Sequence, residues 1–181
     1  MNFTNGTDLI VFSSDKFGSE NLRTSLLMTE FAMKKRVYFI EAPIMDVAKE
    51  ATYFIKKTDH EVCIIQPYLP AETSVFEQKK AILELLKEFL VEENISHYTM
   101  WTDTPRAMHF IRHLNPEIII YDCLRNYSET HPELEKELFE YADVVLTSGL
   151  VARSEEVIDQ SNVFPFLQRD LRENRGSLGI F

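Results

Sequence analysis

The sequence has 181 residues, the size of one domain, so a single hydrophobic core is expected. Hydrophobic residues make up 45% and charged residues 27% of the chain, which excludes a disordered, collagen-like or coiled-coil protein. The net charge of -10, with basic residues scattered along the chain, excludes a general nucleic-acid binder, because phosphate neutralisation requires a basic surface.

Strand-like and helix-like segments alternate from one end of the chain to the other. The strand-like segments are β-branched and almost continuously apolar, as in strands buried on both faces of a parallel sheet. Seven strands are predicted, at Leu9–Ser13, Val37–Glu41, Val62–Gln66, His97–Trp101, Ile118–Tyr121, Val144–Thr147 and Val163–Phe166.

Five segments between these strands have the apolar periodicity of a helix. They are Ser19–Met33, Glu77–Glu93, Pro105–Leu114, Pro132–Tyr141 and Leu150–Asp159. A further segment, Ala48–Asp59, is ambiguous and fits a short helix after the second strand.

Three helix starts are indicated by capping residues. Ser74 with Glu77 has the spacing of a capping box, and Thr130 with Glu133 repeats it. Thr104 precedes a proline and is typical of an N-cap followed by proline at the first helical position.

Together these elements predict an α/β, Rossmann-like three-layer sandwich with a mostly parallel sheet of six or seven strands. Residues 1–166 form this domain and residues 167–181 form a tail. The first apolar run, Leu9–Phe12, is too short for a signal peptide or a membrane span, and neither Cys63 nor Cys123 has zinc-site spacing. We therefore expect a cytoplasmic protein, with attachment to the periphery of the inner membrane left open.

Polar residues follow the predicted strands. In an open α/β sheet, ligands bind outside the carboxyl ends of the strands, where the strand order reverses. Caps and turns require the same residue types, so a structural role is the alternative for each. The residues in question are Ser13, Ser14, Asp15, Glu41, Gln66, Thr102, Asp103, Thr104, Asp122, Cys123, Ser148 and Gly149.

Several familiar chemistries lack their motifs. None of the five glycines forms a dinucleotide fingerprint or a P-loop. His109 and His113 stand four residues apart, but no glutamate follows His109 as in a zinc peptidase helix, and the chain has no nucleophile elbow. We expect neither a metal nor another cofactor.

Four stretches carry a resemblance to a known family. They are "VYFIEAP" (Val37–Pro43), "MWTDTPRAM" (Met100–Met108), "PEIIIYDC" (Pro116–Cys123) and "YADVVLTSGLV" (Tyr141–Val151). With these four stretches in this order, the chain resembles the N-terminal half of a GT-B fold glycosyltransferase of the family 4-like type. The resemblance is to the bacterial branch associated with UDP-galactopyranose mutase.

The end of the chain extends this resemblance. "NVFPF" (Asn162–Phe166) is similar to the family's crossing into its second domain, and "SLGIF" (Ser177–Phe181) to the first strand of that domain. The resemblance implies an acceptor-side domain that is inactive alone, with the nucleotide-sugar donor bound by a missing C-terminal domain. A glycan or lipid-linked acceptor in cell-surface glycan synthesis is implied as well. Pairing of the tail with a second copy or with a partner protein is left open.

The residues implied for the site lie at the ends of the predicted strands. Asp15 and Asp122 are the candidate catalytic bases, because each is a carboxylate at the ligand edge. The competing hypothesis is a non-catalytic Rossmann-like module that docks on a partner such as a UDP-galactopyranose mutase-like enzyme. The candidate substrate-binding residues are Ser14, Glu41, Trp101, Thr104, Ser148 and Gly149.

Overall fold

The predicted strand segments lie side by side in one sheet. The computed structural model describes residues 7–19, 22–46, 50–147 and 162–165. All seven predicted strands are present, and two more join them. In chain order the strands are β1 (Asp8–Phe12), β2 (Val37–Ile40), β3 (Ile44–Asp46), β4 (Thr52–Lys57), β5 (Cys63–Pro70), β6 (Tyr98–Thr102), β7 (Ile118–Cys123), β8 (Val144–Thr147) and β9 (Val163–Pro165).

Strand order follows the doubly wound pattern. The parallel neighbours run β5, β2, β1, β6, β7, β8 and β9. The chain adds strands on one side of β1 first, then returns to its other side with β6, where Asp8 pairs with Tyr98. The strand order therefore reverses between β1 and β6, which is where such folds bind ligands. The predicted Rossmann-like fold is confirmed.

The segment predicted as a short helix, Ala48–Asp59, is instead largely the edge strand β4, so that prediction is wrong. β4 runs antiparallel to β5 from Thr52↔Tyr68 to Lys57↔Cys63. Its aromatic and β-branched residues favour this pairing: the Tyr53 ring meets Phe89 edge-on at 6.0 Å, on the helix-covered face. β3 continues along β5 beyond the end of β2. These two short elements raise the strand number above the predicted six or seven.

Helices cover the sheet on both faces. On one face, Met28 of α1 (Leu22–Ala32) lies in a core with Val11, Phe39 and Trp101. On the other face, a larger core joins the sheet to α2 (Val75–Glu92), α3 (Met108–Ile111) and α4 (Pro132–Tyr141), and a 3₁₀ turn (Pro105–Ala107) precedes α3. Within the described ranges, no helix has both the length and the apolar character needed to cross a membrane.

Two of the three predicted caps are present. Ser74 and Glu77 form a complete capping box, and Thr104 accepts a hydrogen bond from the N–H of Arg106 at the start of the 3₁₀ turn. The predicted box at Thr130 is wrong, because α4 has His131 as its N-cap and the Thr130 hydroxyl donates to the carbonyl of Tyr127. The predicted helix Leu150–Asp159 and the tail 167–181 lie outside the described residues.

Candidate functional site

The loop after β1 is tied to the end of β6 at the point where the strand order reverses. The Asp103 carboxylate accepts hydrogen bonds from Ser13 Oγ at 2.5 Å and from the backbone N–H of Ser14 at 2.9 Å. Asp103 is buried, and this burial raises the pKa of its carboxyl, while the two serine hydrogen bonds act in the opposite direction. Asp103 therefore fixes the conformation of the loop that carries Ser14 and Asp15.

Asp15 lies at the surface of the same edge. Its two carboxylate oxygens accept hydrogen bonds from Nη2 of Arg125, at 3.1 and 2.8 Å. The Asp15 side chain is 24% exposed and that of Arg125 is 54% exposed. This ion pair joins the loop after β1 to the loop after β7. The carboxylate of Asp15 thus remains open to solvent on one side.

Asp122, the other candidate base, lies near the end of β7 and is completely buried. Its Oδ1 accepts a hydrogen bond from Nη2 of Arg23 at 2.7 Å, while its Oδ2 has no partner among the described residues. Burial raises the pKa of Asp122, with the positive charge of Arg23 opposing and the carboxylate of Asp103 adding to the increase. Because this carboxylate is completely buried, a ligand hydroxyl does not reach it from solution. Its ion pair with Arg23 instead holds α1 against β7.

Glu41 and Thr104 also lie at the carboxyl edge, each with a local partner. Oε1 of Glu41 accepts a hydrogen bond from the N–H of Phe17 at 3.1 Å, which ties the end of β2 to the loop after β1. The hydroxyl of Thr104 caps the 3₁₀ turn, and its side chain is buried. Both residues therefore shape the edge, and Glu41 is the more accessible of the two.

Trp101 does not reach the site. Its side chain is 3% exposed within the core on the α1 face, where it faces Phe31 with 6.0 Å between ring centroids. Ser148 and Gly149, the other two predicted binding residues, lie outside the described residues. The structure thus brings Ser14, Asp15, Glu41, Thr104 and Asp122 to one edge of the sheet.

Arg23 and Arg125 at this edge were not among the candidate residues of the sequence. Asp103, which follows β6 directly, was among the polar residues at the strand ends but was assigned no role. Arg23 is the arginine of α1, 99 positions from Asp122, and Arg125 is 110 positions from Asp15. Such distant ion pairs leave no periodicity in a single sequence.

The edge presents groups that suit a neutral, hydroxyl-rich ligand. Its solvent-accessible groups are the carboxylates of Asp15 and Glu41, the guanidinium of Arg125 and the hydroxyl of Ser14, so donors and acceptors for sugar hydroxyls are both present. In the described part of the chain, no three histidine, cysteine or acidic side chains are grouped to hold a metal ion.

The comparisons with known proteins add no assignment. No protein-family model matches the sequence, and no curated protein matches it. Its function is therefore inferred from the residues at the carboxyl edge and from the motifs that end there.

Proposed function

We propose that this chain is the acceptor-side domain of a glycosyltransferase that uses a nucleotide-sugar donor in cell-surface glycan synthesis. One observation carries the proposal: three of the four stretches that resemble the GT-B family bring polar residues to the same edge of the sheet, beside the β1–β6 reversal. "VYFIEAP" brings Glu41 there, "MWTDTPRAM" brings Asp103 and Thr104, and "PEIIIYDC" brings Asp122. An acceptor sugar on this edge would face the donor domain that the resemblance implies.

Asp15 is the base in this proposal. Of the two candidate carboxylates, Asp15 alone has an exposed side chain. It would take the proton of the acceptor hydroxyl as that oxygen bonds to the sugar carbon, while the bond from this carbon to the nucleotide diphosphate breaks. Asp122 is a positioning residue here, since its ion pair with Arg23 fixes the end of β7.

A transfer assay on the complete gene product tests the proposal. The assay supplies UDP- and GDP-sugars with an inner-membrane acceptor fraction and follows labelled sugar entering the acceptor. The Asp15→Asn variant is expected to lower the rate about 100-fold, the size typical of losing a general base. Asp59→Asn, at an exposed turn beyond the opposite edge of the sheet, is the matched control and keeps the wild-type rate. No transfer from any donor, or a wild-type rate in Asp15→Asn, would overturn it.

A non-catalytic binding module is the second candidate, and one observation favours it. Both candidate carboxylates, Asp15 and Asp122, form ion pairs with arginines. Such ion pairs occur in purely structural roles as well as in active sites. This candidate predicts a stable complex with a UDP-galactopyranose mutase-like partner and no sugar transfer. Co-purification combined with the same transfer assay separates the two functions.

A further inference from the structure

A second group of polar side chains lies on the face of the sheet opposite α1. It is formed where α2, the 3₁₀ turn, α3 and α4 pack against one another. Its members, which we call the basic cluster, are Lys79 of α2, Arg106 of the 3₁₀ turn, His109 of α3 and His131 at the start of α4.

Two members of the basic cluster are in direct contact. Nε of Arg106 donates a hydrogen bond to Nε2 of His131 at 3.1 Å, and the ring of His131 meets that of Tyr127 edge-on at 6.2 Å. Because a guanidinium nitrogen can only donate, His131 accepts here as a neutral imidazole. The contact therefore orients both side chains without any carboxylate between them.

Within the described residues, two members of the basic cluster, Lys79 and Arg106, have no carboxylate partner, while Glu137 interacts electrostatically with His109. The neighbouring Arg112 is paired with Glu137. The pKa of His109 is lowered by burial and, to a smaller extent, by the neighbouring positive charges of Lys79, Arg112 and Arg106. The two cations Lys79 and Arg106 thus lie near His109 without an ion-pair partner among the described residues, although the protein carries a net charge of -10.

This arrangement fits an anionic ligand better than a structural role. Acidic residues outnumber basic ones 29 to 19, so carboxylates are abundant, yet Lys79 and Arg106 form no ion pair within the described residues. Arginine, lysine and histidine together supply several N–H donors, which is the donor set that recognises phosphate oxygens. The cluster is too small for a nucleic-acid surface, which needs a continuous basic stripe.

We propose that the basic cluster is a binding site for a terminal phosphate or diphosphate group, with Arg106 and Lys79 as its principal contacts. The phosphate would take the free guanidinium nitrogens of Arg106 and the ammonium of Lys79. The imidazoles of His109 and His131 line the same place. Arg106 lies two residues after Thr104, so this site adjoins the carboxyl edge, but it stands whether or not the chain transfers sugars.

Titrations of the 181-residue chain test this site. Inorganic phosphate, pyrophosphate and geranyl diphosphate are added in turn while the side-chain resonances of His109 and His131 are followed by NMR, at an ionic strength held constant with NaCl. We expect saturable shifts with pyrophosphate. Tighter binding of geranyl diphosphate than of pyrophosphate identifies a lipid-linked group, and equal binding identifies a free phosphate compound.

Two variants and a control decide the outcome. Arg106→Gln and Lys79→Gln are each expected to weaken pyrophosphate binding at least tenfold, whereas Lys80→Gln, an exposed lysine next along α2, leaves it unchanged. Circular-dichroism melts confirm that the variants are folded. Resonances that follow NaCl alone, or wild-type pyrophosphate affinity in both Arg106→Gln and Lys79→Gln, would overturn the proposal.

Discussion

Arg23 and Asp122 form a buried ion pair that joins α1 to the end of β7, with 2.7 Å between Nη2 and Oδ1. Their side chains are 8% and 0% exposed, so both charges have lost most of their hydration. The attraction within such a pair is largely offset by this loss, and its value lies in fixing which elements meet. Removing one partner alone is therefore more harmful than the pair is stabilising.

Arg23→Ala is expected to lower the free energy of unfolding by about 3 kcal/mol at about pH 8, because it leaves the Asp122 carboxylate buried without its partner. The loss should be smaller at about pH 5, where Asp122 can take up a proton. Urea denaturation at both values measures it. The control is Lys87→Ala, which breaks the exposed pair with Glu84 and should change stability by no more than about 0.5 kcal/mol. Equal, small effects of the two substitutions would contradict this role of the ion pair.

The stability of the protein should fall as the pH rises through the titration of its buried carboxyl groups. Burial raises the pKa of Asp122 to about 7 from 3.8, and it raises the pKa of Asp103 as well. A group with a raised pKa stabilises the fold fully below its unfolded pKa, and this contribution is lost as the pH passes its folded pKa.

The wild-type protein and Asp122→Asn isolate this effect, because asparagine does not titrate. The difference between their unfolding free energies, wild type minus variant, should decrease by at most about 4 kcal/mol between about pH 4 and about pH 8. Titrating groups that do not interact with Asp122, such as His109, cancel in this difference, whereas the interacting Asp103 contributes to it. A difference that increases over this range would show that Asp122 is ionised throughout.

Asp103→Ala should release the loop after β1. The substitution removes the acceptor of Ser13 Oγ and of the Ser14 N–H, so we expect a loss of about 3 kcal/mol in unfolding free energy. Hydrogen exchange at the Ser14 amide should become faster as well. Asp103→Asn keeps an acceptor for Ser14 and should lose less than half as much. Unchanged exchange in Asp103→Ala would mean that other contacts hold the loop.

The fold could be predicted from local sequence patterns, but its edge strand β4 could not. Seven strands follow from continuous β-branched runs such as Val37–Ile40 and Ile118–Cys123, and two helix starts from capping residues. β4 is a strand because β5 offers it an unpaired edge, and that edge is a property of the assembled sheet. Within β4, an exposed aromatic residue such as Phe54 fits neither the apolar periodicity of a helix nor that of a strand.

The shared edge of several candidate residues could be predicted from the sequence, and the pairing of their side chains could not. The ends of β1, β2, β6 and β7 had to share one edge once the sheet was parallel, so Asp15, Glu41, Thr104 and Asp122 could be expected together. Whether a carboxylate there is exposed or buried depends on the side chains that pack around it in the folded protein. That choice is made by tertiary contacts across about a hundred residues, as between Arg23 and Asp122.

This 181-residue chain is expected to transfer no sugar by itself. It has no glycine-rich loop to hold the phosphates of a nucleotide-sugar. Its carboxyl edge offers hydrogen-bonding groups that suit the acceptor sugar. Incubation of the purified chain with radiolabelled UDP- and GDP-sugars and an inner-membrane fraction measures this. Transfer above the background of the membrane fraction would show that the chain contains a complete donor site.

We propose that the carboxyl edge around Asp15 and Asp103 binds a sugar. The most direct measurement is an amide NMR titration of the chain with methyl glycosides of galactose, glucose, mannose and rhamnose. We expect saturable shifts, with at least one glycoside, centred on the amides of Ser14, Asp15 and Asp103, and weaker binding in Asp15→Asn than in Asp59→Asn. Shifts centred elsewhere, or no saturable shift with any glycoside, would contradict it.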